Sequence, residues 1–148
     1  MTDGFQLDIR QHLFCAEFFS VIAHSLYLPD EAKLLVVAEK YAADDRYKIA
    51  GYFSDGSLAA CAGMDLSDPE KVVLQHLAVN PAHRGQGFGK KMILELMEQY
   101  QIKQLEAETD DDAVGFYRKC GFTISDLGEK YPGTKRYHCS LATSSKIQ

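Results

Sequence analysis

The amino-acid sequence predicts a mixed α/β fold (α+β) in which one central, mostly antiparallel sheet carries helices on both faces. Segments with helical and strand-like apolar spacing alternate along the chain, and turn residues mark two of them as hairpins. The chain has 148 residues, of which 46% are hydrophobic and 25% are charged. Because this is an ordinary globular length and composition, we expect a single domain over residues 1–148.

The first half of the chain predicts a short strand, two helices and a β-hairpin. Residues 5–9 match the strand pattern, and residues 12–28 carry apolar side chains at helical spacing. Asp30 follows a proline and is a typical N-cap, which predicts that a second helix begins there. Two strand-like runs within 47–64 flank Asp55-Gly56, a dipeptide that favours a tight hairpin turn.

The second half predicts four strands and two helices. Residues 71–79 form an apolar strand, and a glycine-rich loop then leads into a helix within 83–100. A strand at 103–109 and a helix at 111–120 follow, and residues 122–142 form two strands around a Pro-Gly turn. The order of elements is therefore β-α-α-β-β-β-α-β-α-β-β. The glycine-rich loop is expected at the carboxyl end of the 71–79 strand, where open sheets bind their ligands.

Charge and composition narrow the range of partners. The net charge of −5 argues against nucleic acid, whereas residues 80–91 contain basic side chains and no acidic one, which favours a small anionic ligand. The amino terminus lacks a signal-peptide pattern, and Glu17 and His24 interrupt the longest apolar stretch, so no membrane span is predicted. The cysteines show no zinc spacing, and the three carboxylates of 110–112 suit helix capping better than metal binding. We expect a cytoplasmic protein without a metal, present as a monomer or homodimer.

Residues 82–91, AHRGQGFGKK, place glycine at every second position among basic side chains, just before the predicted helix. Glycine lets the backbone approach a ligand closely, and a helix N-terminus adds unpaired N–H groups and a positive dipole end. Together these features favour phosphate binding. Two common phosphate-binding patterns do not fit, because a Walker A loop needs glycine in place of Arg84 and a dinucleotide loop needs glycine in place of Lys90.

The pattern that does fit is R-x-x-G-x-G, at Arg84, Gly87 and Gly89, within HLAVNPAHRGQGFGKKMI. A later stretch, DDDAVGFYRKCGF at 110–122, has the form A-x-x-F-Y-x-K-x-G-F. The two motifs, in this order and separated by one helix and one strand, resemble those of the GNAT family of N-acetyltransferases. The resemblance covers essentially the whole chain. It implies the GNAT fold and the transfer of an acetyl group from acetyl-CoA, as cosubstrate, to a primary amine.

The resemblance also implies where acetyl-CoA binds. The backbone of residues 84–89 would hold the pyrophosphate, while the strand that ends at Val79 would separate from its neighbour through a bulge and pair with the pantetheine amides. A backbone N–H near Leu77 would stabilise the thioester oxygen. The coenzyme-binding residues implied in this way are Leu77, Ala78, Val79, Arg84, Gly85, Gln86, Gly87, Phe88, Gly89 and Lys90.

By the same resemblance, Tyr117 is the catalytic acid. A phenol can hydrogen-bond to the coenzyme thiolate, or protonate it, as the thiolate leaves. One departure from the family concerns Asp110, which stands where the family often has an asparagine that contacts the coenzyme arm. A carboxylate cannot donate a hydrogen bond as an amide does, so the resemblance does not carry that contact to this chain.

The general base is not assigned. Some family members use a glutamate on the third strand, but the matching position here is Val73. Gln75 cannot act as a base, and strict alternation places His76 on the face opposite Gln75 and Leu77, which favours a half-buried structural histidine. Glu108 either relays a proton through water or is simply exposed.

In this fold the acceptor pocket lies between the first two helices and the loop of the last hairpin, here residues 12–42 and 128–137. The candidate pocket residues are Tyr27, Tyr131 and Tyr137, with Glu129 and Asp65 as possible amine anchors. The acceptor stays open among a small amine, an amino acid, an antibiotic, and a protein N-terminus or lysine. The alternative function is a catalytically weak coenzyme-A-binding regulatory module, which Val73 favours and Tyr117 opposes.

Overall fold

The computed structural model describes residues 3–143 of the chain. The strands in this part are β1 (Gly4–Gln6), β2 (Tyr47–Ser54), β3 (Ser57–Asp65), β4 (Val72–Val79), β5 (Gln104–Asp110), β6 (Thr123–Tyr131) and β7 (Thr134–Ala142). The α-helices are α1 (Ala16–Ile22), α2 (Glu31–Ala43), α3 (Phe88–Gln99) and α4 (Val114–Lys119). Short 3-10 turns occupy Arg10–His12, Ala23–Ser25 and Pro81–His83. None of the helices in this described part is long and apolar enough to cross a membrane.

The seven strands form one sheet in the order β1-β2-β3-β4-β5-β7-β6. Neighbouring strands run antiparallel except β4 and β5, which are parallel. A parallel pair needs a crossover connection, and α3 supplies it. The predicted α+β class, the mostly antiparallel sheet and the predicted order of elements are therefore confirmed.

The helices cover both faces of the sheet and bury an apolar cluster on each. The cluster beneath α1 and α2 includes Tyr41, and the cluster beneath α3 and α4 includes Met92 and Tyr117. Ile49 and Ala50 are neighbours in β2, and each belongs to a different cluster. Successive strand residues point to opposite faces, so both sides of the sheet are packed.

Two local sequence signals act as predicted. The carboxylate of Asp30 accepts a hydrogen bond of 2.8 Å from the backbone N–H of Lys33 and so caps the start of α2. Asp55 and Gly56 have φ angles of 55° and 78°, the left-handed pair that a tight hairpin turn requires.

Three helices are shorter than the sequence pattern predicts, and one of them, α4, spans only Val114–Lys119 of the predicted 111–120. Within 12–28 the α-helix is limited to α1, because Cys15 and Leu26 adopt extended backbone angles on either side of it. Within 83–100, Gly85 and Gly87 have φ angles of 81° and 79°, which a right-handed helix cannot contain. Helix α3 therefore begins only at Phe88.

Candidate active site

Strand β4 lies beside β5 only at its start. The two strands pair through Val72 with Leu105 and Val73 with Glu106, whereas β4 stays paired with β3 as far as Val79. Within residues 3–143, the side of β4 that faces β5 has no strand partner beyond this point. Two parallel strands thus separate and leave an open backbone edge, which an extended ligand can use as a strand would.

A β-bulge interrupts β4 where it leaves β5. His76 pairs with Gly63, but Leu74 pairs with Met64, so Gln75 is an extra residue in the strand. As a result, both Leu74 and Leu77 belong to the cluster beneath α3 and α4. His76 instead hydrogen-bonds to a residue of the opposite cluster.

The open edge presents the backbone groups of alternate residues. The N–H of Asn80 donates to the carbonyl of Ala59 in β3 at 2.7 Å. By the period of two in a strand, the backbone of Ala78 also faces β3, whereas the N–H and C=O groups of Leu77 and Val79 face the gap. Of the three residues predicted to meet the coenzyme arm, the structure therefore places the backbone of two on the open edge.

The glycine-rich loop continues directly from this edge. The side-chain oxygen of Asn80 accepts the N–H of Ala82 at 3.0 Å and starts a 3-10 turn, and the N–H of Arg84 closes it on the Pro81 carbonyl at 3.3 Å. The next residues bend sharply, with positive φ angles at alternate glycines. The loop thus lies at the carboxyl end of β4, as predicted.

Six consecutive backbone N–H groups, those of residues 85–90, find no acceptor within residues 3–143. The first helical bond of α3 is donated by Lys91 to the carbonyl of Gly87, and no side chain caps the helix. A Cβ added to Gly85 or Gly87 would meet no atom within 4 Å, so the space beside these groups is open. Free N–H groups at a helix N-terminus with a positive dipole end suit a pyrophosphate.

Phe88 and Gly89 anchor the loop to the core. The ring of Phe88 is buried and lies 5.2 Å from that of Tyr52. A Cβ on Gly89 would lie only 2.9 Å from the ring of Phe116 in α4 and 3.6 Å from a methyl of Val79. Gly89 therefore permits close packing between the end of β4, the start of α3 and α4.

Basic side chains surround the loop without occupying it. Arg84 extends to His24, with 3.4 Å between its Nη2 and the histidine Nδ1. The ammonium of Lys91 lies 4.8 Å from the centre of the Phe88 ring. Lys90 is exposed at the first turn of α3. These charges raise the local concentration of an anion.

Tyr117 is held in α4 between two aromatic rings. The centres of the Phe116 and Phe122 rings each lie 5.2 Å from its own, and only 8% of the residue is exposed. Burial raises the pKa of the phenol, so it keeps its proton at neutral pH. Since Phe116 also contacts the start of α3, the helix that carries Tyr117 is fixed against the glycine-rich loop.

A cavity of about 810 Å³ lies at the carboxyl end of β5, next to the loop between α1 and α2. The residues that line it are Tyr27, Asp110, Asp111, Asp112, Gly133, Thr134, Lys135 and Arg136. The two cationic side chains among them, Lys135 and Arg136, form ion pairs with Asp126 and Glu108, which do not line the cavity. The carboxylate of Asp112 has no partner in the described chain, so the cavity favours a cation.

The predicted pocket residues separate into two groups. Tyr27 lines the cavity, and the hydroxyl of Tyr137 donates to Asp111 at 2.5 Å. Glu129 and Asp65 do not line it; Asp65 accepts hydrogen bonds from Ser67 at the end of β3. The side chain of Tyr131 lies outside the described part of the structure.

His76 and Glu108, the titratable groups considered near the gap between β4 and β5, both have hydrogen-bond partners within the protein. Burial lowers the pKa of His76 to about 4, and its Nδ1 lies 2.7 Å from the hydroxyl of Tyr41, so the ring is neutral and fixed. Hydrogen bonds from Lys130 and Arg136 hold the pKa of Glu108 below its usual range. Glu108 is therefore an ion-paired carboxylate, and Val73 is an apolar side chain with 39% exposure. Among the described residues, no three His, Cys, Asp or Glu side chains converge as a metal site.

Sequence reasoning excluded Gln75 as a base and gave it no other role. Its position becomes notable only through the bulge, which strict strand alternation does not contain. The sequence does contain a signal for the bulge. The apolar residues lie at even positions before it, Val72 and Leu74, and at odd positions after it, Leu77 and Val79.

Comparison with known proteins identifies a matching family model and solved structures with a similar fold. The family model of the acetyltransferase (GNAT) family matches residues 10–122. An uncharacterised N-acetyltransferase of Bacillus methanolicus is 27% identical over 107 residues, which are 69% of this chain and 88% of that protein. The ribosomal-protein-S18-alanine N-acetyltransferase of Escherichia coli superimposes with a TM-score of 0.75 at 16% identity, over 99% of both chains. A Bacillus subtilis acetyltransferase in complex with CoA has a TM-score of 0.71 at 17% identity, over 97% of this chain and 100% of that one.

Proposed function

Because its residues 10–122 match that family model, the chain belongs to the GNAT acetyltransferase family, and we propose that it transfers the acetyl group of acetyl-CoA to a primary amine. One observation carries the proposal: the open edge of β4 continues directly into six free backbone N–H groups at the start of α3. Coenzyme A has an extended pantetheine arm joined to a pyrophosphate. One molecule can therefore pair with the open edge of β4 and with the free N–H groups at the same time.

The coenzyme site follows from this arrangement. The N–H groups of residues 85–90 would hold the pyrophosphate, and Arg84 would add positive charge beside it. The pantetheine amides would pair with the backbone of Leu77 and Val79 as an added strand does. In this arrangement Ala78 acts through its place in the sheet, and Phe88 and Gly89 act by fixing the loop.

The transfer replaces a C–S bond with a C–N bond, and the protein contributes at two atoms. The N–H of Leu77, which faces the gap, would stabilise the negative charge that develops on the thioester oxygen. Tyr117 would give its proton to the sulfur as the C–S bond breaks, and solvent would restore that proton. Burial keeps the phenol protonated and therefore able to act in this way.

The acceptor in this proposal is a cationic amine that enters through the cavity beside β5. The unpaired carboxylate of Asp112 and the exposed ring of Tyr27 would attract it. The ammonium must lose a proton to solvent before it attacks, because Val73 stands where a basic side chain is expected.

The cellular location, the domain organisation and the oligomeric state are part of the same proposal. We place the activity in the cytoplasm, which four free cysteines support because thiols persist in a reducing compartment. The whole chain 1–148 would act as one acetyltransferase domain, as a monomer or homodimer. Acetyl-CoA and the acceptor are its partners in this scheme.

The experiment combines binding with turnover. Acetyl-CoA should raise the melting temperature of the protein, because a ligand that binds only the native state stabilises it by RT ln(1 + [L]/Kd). Release of free coenzyme thiol should then be followed with a panel of small amines, polyamines and peptides. Absence of a thermal shift at millimolar acetyl-CoA would refute the coenzyme site.

A second candidate function is a coenzyme-A-binding regulatory module with weak catalysis. The apolar side chain of Val73 favours it, since it leaves the expected position of the base without a titratable group. The same assay separates the two functions. A thermal shift without thiol release for any amine would support the module.

A further inference from the structure

The side-chain oxygen of Gln75 is buried and has no hydrogen-bond donor within residues 3–143. A buried acceptor without a donor costs free energy, roughly 1–3 kcal/mol in general, so folded proteins rarely retain one without a role. Among the described side chains it is the one buried nitrogen or oxygen atom in this condition. The folded chain therefore retains an unsatisfied side-chain oxygen at Gln75.

Gln75 lies where strands β4 and β5 separate. Gln75 is the extra residue of the β4 bulge, and it follows Val73, the last residue of β4 that pairs with β5. Bulges redirect side chains and are common beside active sites. Leu77, whose N–H faces the gap, is two residues away, a distance of roughly 7 Å along a strand.

The position relative to the coenzyme decides which donor can reach Gln75. If the pyrophosphate binds at residues 85–90, the pantetheine arm runs along β4 from Val79 towards Leu77, and the thioester lies at the Leu77 end. Gln75 lies beyond that end. The donor nearest to it is then the amine that approaches the thioester carbonyl, rather than an amide of the arm.

We propose that the carboxamide of Gln75 rotates about its terminal bond when the acceptor binds, so that its oxygen, which is buried in the free protein, accepts a hydrogen bond from the attacking amine and directs the lone pair of that amine at the thioester carbon. The inference rests on the proposed function. A carboxamide accepts the N–H without a full negative charge, so it holds the neutral amine without favouring the unreactive ammonium as strongly as a carboxylate does. Gln75 is thus an acceptor-binding residue and not a base.

The proton and electron balance is complete without a base from the protein. The neutral amine forms the C–N bond with its lone pair, and the C–S bond breaks with its electrons on sulfur. Sulfur takes the Tyr117 proton, the new amide nitrogen releases one proton to solvent, and solvent returns one proton to Tyr117. Gln75 keeps its hydrogen bond through these steps and neither gains nor loses a proton.

The test uses Gln75→Met, which keeps the length of the side chain but removes the acceptor. The free variant should melt about 2–4 °C higher than the parent, because an unsatisfied buried group is gone. Its thermal shift with acetyl-CoA should be unchanged. Its kcat/KM for the best amine of the panel should fall about tenfold, the factor for one hydrogen bond.

Two further variants complete the design. Gln75→Glu keeps an oxygen acceptor, and above the pKa of the acceptor amine, where that amine is neutral, it should retain most of the kcat/KM that Gln75→Met loses. Gln99→Met makes the same exchange at the exposed end of α3 and should change none of the three measurements.

Each other outcome overturns the proposal in a distinct way. A lower melting temperature for Gln75→Met would assign Gln75 a structural role in the bulge. A smaller shift with acetyl-CoA would assign it to the pantetheine arm. Full activity of Gln75→Met would remove it from acceptor binding while leaving the proposed function intact. Failure of the parent protein to transfer to any amine would refute the proposed function itself.

Discussion

The hydroxyl of Tyr41 lies 2.7 Å from Nδ1 of His76, and this contact ties α2 to the strand that carries the open edge. The two rings meet edge to face with 5.6 Å between their centres. Gly63, which pairs with His76 across the sheet, makes the approach possible, because a Cβ there would lie 2.1 Å from the Tyr41 hydroxyl. The bulge of β4 is thus held from the side of α2.

Gly63→Ala should destabilise the protein by about 2–3 kcal/mol, because the added methyl must displace a fully buried tyrosine and its hydrogen bond. Urea unfolding measures the change. Gly115→Ala in α4 is the matched control: a Cβ there meets no atom within 4 Å, and alanine is the better helix former, so stability should be unchanged or rise by up to about 1 kcal/mol. Equal stability of the two variants would contradict the packing at Gly63.

Stability should fall in acid through His76. Burial, with a contribution from the charge of Lys40, lowers the pKa of this histidine from 6.5 to about 4 in the folded protein. The unfolded chain therefore binds a proton first as the pH falls. The contribution of His76 is fully present above pH 6.5 and is lost as the pH falls towards 4. The total loss is on the order of 3 kcal/mol.

The measurement compares the parent with His76→Gln at a series of pH values. Glutamine can still hydrogen-bond to Tyr41 but does not titrate, so the difference between the two proteins isolates His76. Other acid-sensitive contacts, such as the hydrogen bond between His138 and Glu106, are common to both and cancel. Parallel stability curves from pH 7 to pH 4 would show that His76 does not carry this dependence.

Elements whose signals are local could be predicted from the sequence. The Asp30 cap, the Asp55-Gly56 turn and the order of strands and helices all depend on residues that are close in sequence. The position of the loop at the end of β4 followed from the same signals. Chain order and strand patterns were thus sufficient to place the glycine-rich loop at the carboxyl end of β4.

Contacts between distant residues could not be predicted in this way. Strict alternation would put Leu74 and His76 on one face, but the bulge puts Leu74 with Leu77 instead. Glu108 could relay a proton as far as the sequence shows, yet it is paired with Lys130 and Arg136, which are 22 and 28 residues away. Such partners depend on the register of β5, β6 and β7, which no local pattern specifies.

Gly87→Val should abolish the thermal shift with acetyl-CoA. The added side chain would occupy the open space beside the free N–H groups and block the approach of a pyrophosphate. Gly87 is better suited to the test than Gly89, where a Cβ would strike Phe116 and disturb the fold. The measurement is the melting temperature with and without millimolar acetyl-CoA.

Gly56→Val is the matched control for backbone strain. Gly56 has a φ of 78°, against 79° at Gly87, and a Cβ at either position meets no atom within 4 Å. Both variants should therefore lose stability by a similar amount, on the order of 1–2 kcal/mol for a left-handed residue. Only Gly87→Val should lose the acetyl-CoA shift, and a full shift in both would place the pyrophosphate elsewhere.

Tyr117→Phe should lower kcat by about 10²–10⁴-fold, the range typical of a general acid, with little effect on folding or acetyl-CoA binding. The change removes one hydroxyl and leaves the ring packed between Phe116 and Phe122. Because the phenol, in the proposed mechanism, would act on sulfur as the C–S bond breaks, kcat should fall more than KM rises. Steady-state release of coenzyme thiol measures both constants.

The control is Tyr52→Phe, which removes a hydroxyl from a ring packed on Phe88 of the glycine-rich loop. It should leave kcat unchanged, so that a loss confined to Tyr117→Phe reports on the leaving group and not on the loss of a tyrosine near the coenzyme. The assay must be limited by chemistry, since a rate limited by product release would conceal the effect. Under that condition, an unchanged kcat for Tyr117→Phe would show that water protonates the thiolate, and the buried phenol would then serve only to pack α4 against the sheet.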